Sequence, residues 1–347
     1  MTRSLVIGAS GFLGSHVVKR LLARGDDVRV LLRTTSSTRA IAGLPITTFY
    51  GDIFDTDALR SAMSGCDEVY YCVVEPRSWL RDPAPIFRTN VDGLRTVVDV
   101  ACETAVGRFV FTSSIATISG DAAGPPQSED SKFDRFHDCG PYVLSRVLAE
   151  TVILDAVHRR GLPAVILCVA NTYGAGDYQP TPHGAIVAAI ASGRMPCYLS
   201  GITTEVVGIA DAAEAFLLAA EKGRIGERYI ISERFMSSKD LYAVAAQAGG
   251  RRPPSVGIPR WILYSLGFVG EVCASVLRRD VMLTRESVRL NHTLPPLDHR
   301  KAVEELGWKP RPVTEAIREA VEFYQNTATE PAAGPLSANS IRRGSHQ

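Results

Sequence analysis

The glycine run Gly8-Ala9-Ser10-Gly11-Phe12-Leu13-Gly14 restricts the fold more than any other feature. It stands between an apolar strand pattern at 4–7 and a helical apolar pattern at 12–23. Gly8 suits a tight turn, Gly11 lets backbone N–H groups come close to a ligand, and Gly14 lets the helix pack tightly beneath. A helix opening there presents unpaired amides and a partial positive charge, which favours phosphate. With strand and helix on the correct sides, a dinucleotide is the expected ligand, held by Gly8, Ser10, Gly11, Phe12, Leu13 and Gly14.

The chain continues in the same alternation. Strand patterns at 28–32, 46–50, 68–74, 108–112 and 164–169 are interleaved with helical ones at 85–102 and 142–158, and 120–139 reads as a loop. Strands separated by helices imply right-handed βαβ crossovers and a parallel sheet covered on both faces. The expected fold is therefore α/β: a doubly wound parallel sheet (Rossmann fold) with a smaller, interleaved C-terminal substrate-binding lobe. Residues 1–170 form the dinucleotide-binding part, with 205–225 contributing to it. Residues 171–204 and 226–325 form the lobe, and 326–347, rich in Thr, Ala, Pro, Ser and Gly, read as a disordered tail.

Composition excludes several classes of function. Lys plus Arg is 38 and Asp plus Glu is 37, so no basic footprint for nucleic acid exists. None of the seven cysteines stands at C-x-x-C spacing with another, so no metal site is expected. No signal-peptide pattern precedes the first strand, and a reducing, cytoplasmic setting is expected. The apolar stretch 261–277, bracketed by Arg260 and Arg278-Arg279, is short for a membrane span and contains Glu271. It is expected to be a buried helix or a wall of the substrate pocket, with a helix resting on a bilayer as the lesser alternative.

The end of the second strand bears on which dinucleotide binds. An acidic residue there favours the ribose hydroxyls of NAD, and an arginine favours the extra phosphate of NADP. This chain has Leu32-Arg33-Thr34-Thr35-Ser36-Ser37, so NADP is expected through Arg33, with NAD as the alternative. Asp52 and Ile53, after the third strand, are placed at the adenine edge.

Tyr142 and Arg146 stand four apart at the start of a helix and so share a face. A phenol is a weak base at neutral pH, and a fixed positive charge one turn away favours its ionised form. Tyr142 then has the chemistry to exchange a proton with a carbonyl oxygen. Ser114 closes the strand at 108–112, where such folds bind ligands, and its hydroxyl suits the same oxygen.

These residues together resemble the extended short-chain dehydrogenase/reductase family over about residues 1–325. The resemblance is carried by Gly8-x-x-Gly11-Phe12-x-Gly14, Asp52, Asn90-Val91-Asp92-Gly93, Ser114, Pro141-Tyr142-x-x-Ser145-Arg146-x-x-Ala149-Glu150, Tyr173-Gly174-Ala175-Gly176-Asp177, Val206-Val207-Gly208-Ile209-Ala210-Asp211 and Lys301-Ala302-x-x-Glu305-Leu306-Gly307-Trp308. The branch it looks most like holds dihydroflavonol reductases and 3β-hydroxysteroid dehydrogenases. That implies Ser114, Tyr142 and Arg146 as catalytic, with Asn90 supporting a proton relay or the helix geometry. It also implies a homodimer through the long helices at 85–105 and 142–158. Asn171 matches an epimerase-like asparagine and joins Tyr142 and Arg146 among the cofactor-binding residues. Two departures stand out: Arg146 replaces the family's lysine, and Cys168-Val169 replaces an arginine-led pair.

The expected activity is interconversion of a secondary alcohol and a ketone on a bulky hydrophobic molecule, with Ser114, Tyr142, Tyr173, Trp79 and Phe136 touching it. Two alternatives stay open: a sugar-nucleotide epimerase, and a non-catalytic NADP-binding sensor because of Arg146. Ile115-Ala116 after Ser114, in place of an Asp-Glu pair, argues against dehydration.

Overall fold

In a computed structural model, residues 1–121, 123–292 and 294–329 are described. The strands are β1 (Arg3–Ile7), β2 (Asp27–Leu32), β3 (Thr47–Tyr50), β4 (Glu68–Tyr71), β5 (Arg108–Ser114), β6 (Ala164–Val169), β7 (Asn171–Tyr173), β8 (Cys197–Leu199), β9 (Thr203–Gly208), β10 (Arg228–Ile231), β11 (Arg234–Ser237) and β12 (Val256–Ile258). The helices are α1 (Phe12–Arg24), α2 (Thr56–Met63), α3 (Ala84–Phe87), α4 (Leu94–Glu103), α5 (Pro141–Arg160), α6 (Pro182–Ala191), α7 (Ile209–Lys222), α8 (Ser238–Ala248), α9 (Arg260–Leu277), α10 (Arg285–His292), α11 (Arg300–Leu306) and α12 (Val313–Thr329).

Seven parallel strands form the main sheet in the order β10-β6-β5-β4-β1-β2-β3. The chain reverses direction across the sheet between β1 and β4, and that switch opens a crevice at the carboxyl edge. Helices α1, α7 and α11 lie against one another on one face, while α2, α4 and α5 pack together on the other. Strands covered on both faces are apolar throughout, as in β6, where all six residues are buried. This confirms the doubly wound sheet expected from the alternation.

The smaller lobe has its own core, built from Tyr173, Val187, Val206, Leu241, Ile317 and Val321 among others. It holds a three-stranded sheet, β11-β9-β7, and the pair β12-β8, with α6, α8 and α12 packed around them. The chain crosses between the two units more often than the sequence reading allowed. Strand β10, inside the segment assigned to the lobe, is the seventh strand of the main sheet, because its Tyr229, Ile230 and Ile231 complete that core. Within 205–225 it is α7 that joins the main unit, through α1, while β9 pairs in the lobe.

Three local expectations change. The helix read at 85–102 is interrupted by a π-helical turn at Arg88–Gly93 between α3 and α4. Helix α12 continues to Thr329, so 326–329 are helical, and 330–347 lie outside the described residues. The stretch 261–277 does form a helix, but neither a buried one nor a wall of the cleft described below. Of α9 only Leu263, Gly267 and Ala274 are buried. Small residues on that face let it lie against the 281–285 backbone, so its large side chains turn outward.

His16 on α1 sits 3.0 Å from the Ala175 carbonyl and so joins the glycine-turn helix to the lobe. Burial pushes the His16 and His183 imidazoles down to about 4, from an ordinary value of 6.5. Between those limits the unfolded chain binds more protons than the folded one, so folding stability drops as pH falls from 6.5 towards about 4. Urea midpoints at about pH 7.5 and about pH 5 check this, and His16→Gln should shrink the difference between them.

Candidate active site

The site begins at the turn after β1. Gly8 has φ +93°, and a Cβ there would sit 2.9 Å from the Cys72 carbonyl carbon of the β4 exit. A Cβ on Gly14 would lie 2.2 Å from the Gly8 carbonyl oxygen, so only glycine lets α1 seat on this turn. Gly11 is the N-cap of α1 and is exposed, with no side chain to bond the first-turn amides. Such a helix start leaves donors for an anion. Arg33, at the exit of β2, is exposed, and its carbonyl closes a turn onto the Ser36 N–H at 2.9 Å. Asp52 accepts the Phe54 N–H at 2.8 Å and shapes the turn into α2, while Ile53 is buried where a Cβ on Gly93 would meet it.

Two elements converge on the same edge. Ser114 ends β5 and caps a short 3-10 turn by accepting the Ala116 N–H at 3.2 Å, which leaves its hydroxyl proton to donate elsewhere. Tyr142 lies half-buried in the first turn of α5, which starts at Pro141, where a missing N–H costs nothing. Its backbone is braced from below. The Ser145 hydroxyl donates to the Tyr142 carbonyl at 2.7 Å and accepts from Asn90 Nδ2 at 3.0 Å. Asn90 Oδ1 accepts the Glu75 N–H at 2.8 Å, and its Nδ2 also reaches the Glu75 carbonyl at 3.1 Å. Asn90 is fully buried and both ends of its amide are engaged. The geometry favours a positioning role over a proton relay.

Arg146 is 1% exposed, one turn below Tyr142. Its Nη2 donates to the Thr112 carbonyl and its guanidinium lies over the Phe111 ring at 5.1 Å. Its Nε and Nη1 are buried without a partner among the described residues. Buried donors of this kind call for an acceptor. The Tyr71 hydroxyl, stacked between Phe109 and Phe111, is also buried and unpartnered, and burial raises its pKa against the pull of Arg146. Glycine cradle, uncapped helix start and orphaned guanidinium donors together fit a dinucleotide.

A second network, whose long-range pairings no sequence spacing shows, anchors Ser114. Glu150, one turn below Arg146, accepts from the Ser113 hydroxyl and lies 3.3 Å from Arg228 Nε on β10. The Thr117 hydroxyl is 2.8 Å from both Glu150 Oε1 and the Ser114 carbonyl. Cys168, which takes the place of the family's arginine, faces this cluster, and burial pushes its thiol up to about 12. Glu150 closes the motif that opens at Pro141, but its pairing with Arg228 joins residues 78 positions apart that no local spacing connects.

The expected substrate residues do not gather in one place. Tyr173 is 4% exposed within the core of the lobe, beside His183. Asn171 bonds Thr204 at 2.7 Å across two strands of the lobe. Trp79 is half-buried in the loop after β4. Phe136 is 51% exposed and meets Phe133 edge-on. A small cleft next to the start of α5, open to solvent, is lined by Ile118, Phe133, Gly140 and Val143. It also carries Arg135, Asp138, Glu286 and Arg289, so its wall is more polar than expected.

This fold is that of the extended short-chain dehydrogenase/reductase class. The chain belongs to the NAD dependent epimerase/dehydratase family, whose sequence model matches residues 4–232. It is similar to a putative dihydroflavonol 4-reductase of Synechocystis sp., 30% identical over 327 residues, covering 92% of this chain and 94% of that protein. It is also similar to sterol demethylase protein B of Methylococcus capsulatus, 29% identical over 325 residues, covering 93% of this chain and 98% of that protein. Among solved structures, that of gox2253 matches at a TM-score of 0.83 and 32% identity, covering 94% of this chain and 99% of that one.

The Glu150 network gives a stability prediction. Glu150→Ala strands Arg228 in the interior and should cost about 3 kcal/mol in denaturant unfolding, with Glu150→Gln costing less because it keeps an acceptor.

Proposed function

We propose that the protein is an NADP-preferring oxidoreductase that interconverts a ketone and a secondary alcohol on a bulky, largely apolar small molecule. The observation that carries this reading is the bracing of Tyr142 through Ser145 and Asn90 next to a guanidinium with two unpartnered donors. A nicotinamide bound at this edge supplies or takes up the hydride. Gly8, Gly11 and the first turn of α1 hold its phosphates, Arg33 meets the extra phosphate, and Arg146 turns its free donors to the ribose hydroxyls. The Tyr142 hydroxyl gives its proton to the substrate oxygen on reduction and takes it back on oxidation. The Ser114 hydroxyl donates to that same oxygen and stabilises its charge. Ile118, Phe133 and Val143 offer the substrate an apolar wall, and the names of two relatives, a flavonoid-type reductase and a sterol-related protein, agree with such a molecule.

The test is loss of reduced-nicotinamide absorbance with NADPH or NADH over a panel of bulky apolar ketones. Turnover should favour NADPH, and Arg33→Glu should reverse that preference. Tyr142→Phe should lower turnover by about 10²–10⁴ while leaving cofactor affinity nearly unchanged. No consumption of NADPH on any ketone, together with inversion of a nucleotide sugar, would overturn the proposal in favour of an epimerase. Activity that appears only in Arg146→Lys would point to a sensor.

A further inference from the structure

Helix α9 is built inside out for a water-soluble surface. Although the apolar stretch reads as short for a membrane span, the 18-residue helix has the length and mean apolar character to cross one, charged Arg260 and Glu271 notwithstanding, yet only 17% of it is buried. The face turned to the protein carries the small residues. A Cβ on Gly267 would meet the Thr284 backbone and one on Gly270 the Leu283 carbonyl, with Leu263 and Ala274 filling the rest. The face turned outward carries the large ones: Trp261 at 69% exposure, Leu266, Phe268, Val269, Val272 and Val276 at 76%. Met282 and Leu283, on the segment that packs against the inner side of the helix, are exposed as well. A contiguous apolar face of this size marks an interaction surface, since scattered exposed residues would not share one helix side.

The charges around it select the partner. Arg260 stands at one end and Arg278-Arg279 at the other, bracketing about 27 Å of apolar helix. Arg278 and Arg279 have no ion-pair partner among the described residues. Both carboxylates in the stretch are occupied. Glu271 is tied to Arg285 at 2.7 Å, and Asp280 accepts the Arg81 N–H at 3.1 Å. What remains outward is a greasy face with an interfacial tryptophan and a cationic collar, the chemistry of a helix lying in the headgroup layer. The helix cannot span, because Leu263, Gly267 and Ala274 keep one side on the protein.

We propose that α9 is a monotopic docking element that lays its Trp261–Val276 face into a lipid bilayer bearing anionic headgroups. Helix α10, which packs on α9, supplies Glu286 and Arg289 to the cleft lined by Gly140 and Val143 at the start of α5, so docking sets that cleft close to the membrane surface. The inference rests on the shape and charge of α9 and stands whether or not the protein reduces ketones.

Co-flotation of the full chain with phosphatidylcholine vesicles, with and without roughly a third phosphatidylglycerol, tests it. Binding is expected, stronger on the anionic vesicles and weakened by salt. Val272→Asp/Val276→Asp should weaken it about tenfold or more at an unchanged melting temperature, both side chains being exposed in the fold. Arg278→Glu/Arg279→Glu should remove the preference for anionic lipid while leaving weak binding to neutral vesicles. A chain that stays unbound at both compositions overturns the proposal. So does an assembly in solution that the two aspartates dissolve, which would assign the face to a second copy.

Discussion

The contact between Gly14 and the Gly8 carbonyl governs the rest of this molecule. Backbone meets backbone there, so the first helix can start directly over the carboxyl edge of β1. That places uncapped amides at the point where the sheet changes direction, between β1 and β4. The N-cap is itself a glycine, so no capping side chain competes for those amides. Everything read as chemistry elsewhere in the chain, from Ser114 to Tyr142, acquires a purpose only by arriving at this edge.

The neighbouring strand and helix reach it through buried polar networks. Asn90 sits in the π-helical turn, and the extra residue of that turn rotates its amide towards both the loop after β4 and Ser145. Wide turns of this type cluster at functional sites because they aim one side chain off the regular helical path. Glu150 and Arg228, paired with each other, do the same for the Ser113-Ser114 end of β5. A buried ion pair adds little net stability, but it fixes geometry as long as both partners remain. Arg146 differs in that two of its donors are left open.

Much of the architecture was legible because it rests on period and on glycine. The strands β1, β2, β5 and β6 and helices α1 and α5 appear within a few residues of where apolar spacing puts them. The interleaving was harder to see. Strand β10 is only four residues long, and nothing in Arg228–Ile231 says which sheet it will join. Tyr173 looked like a substrate contact and lies in a core, since aromatic residues satisfy both roles with the same composition. Helix α9 misled in the other direction. Its average apolar character suggested burial, whereas the distribution of large and small residues about its axis decides which side faces the protein.

The sequence by itself determined the doubly wound sheet, the glycine turn after β1 and the family, because each depends on local spacing that a short segment carries within itself. Only the tertiary structure decided that Asn90 braces the Tyr142 turn, that Glu150 is paired with Arg228, that Arg146 keeps unpartnered donors, and that α9 turns its large side chains outward. Those facts join residues far apart in the chain, and pairing at such separations is set by how whole elements pack rather than by the pattern of any one of them.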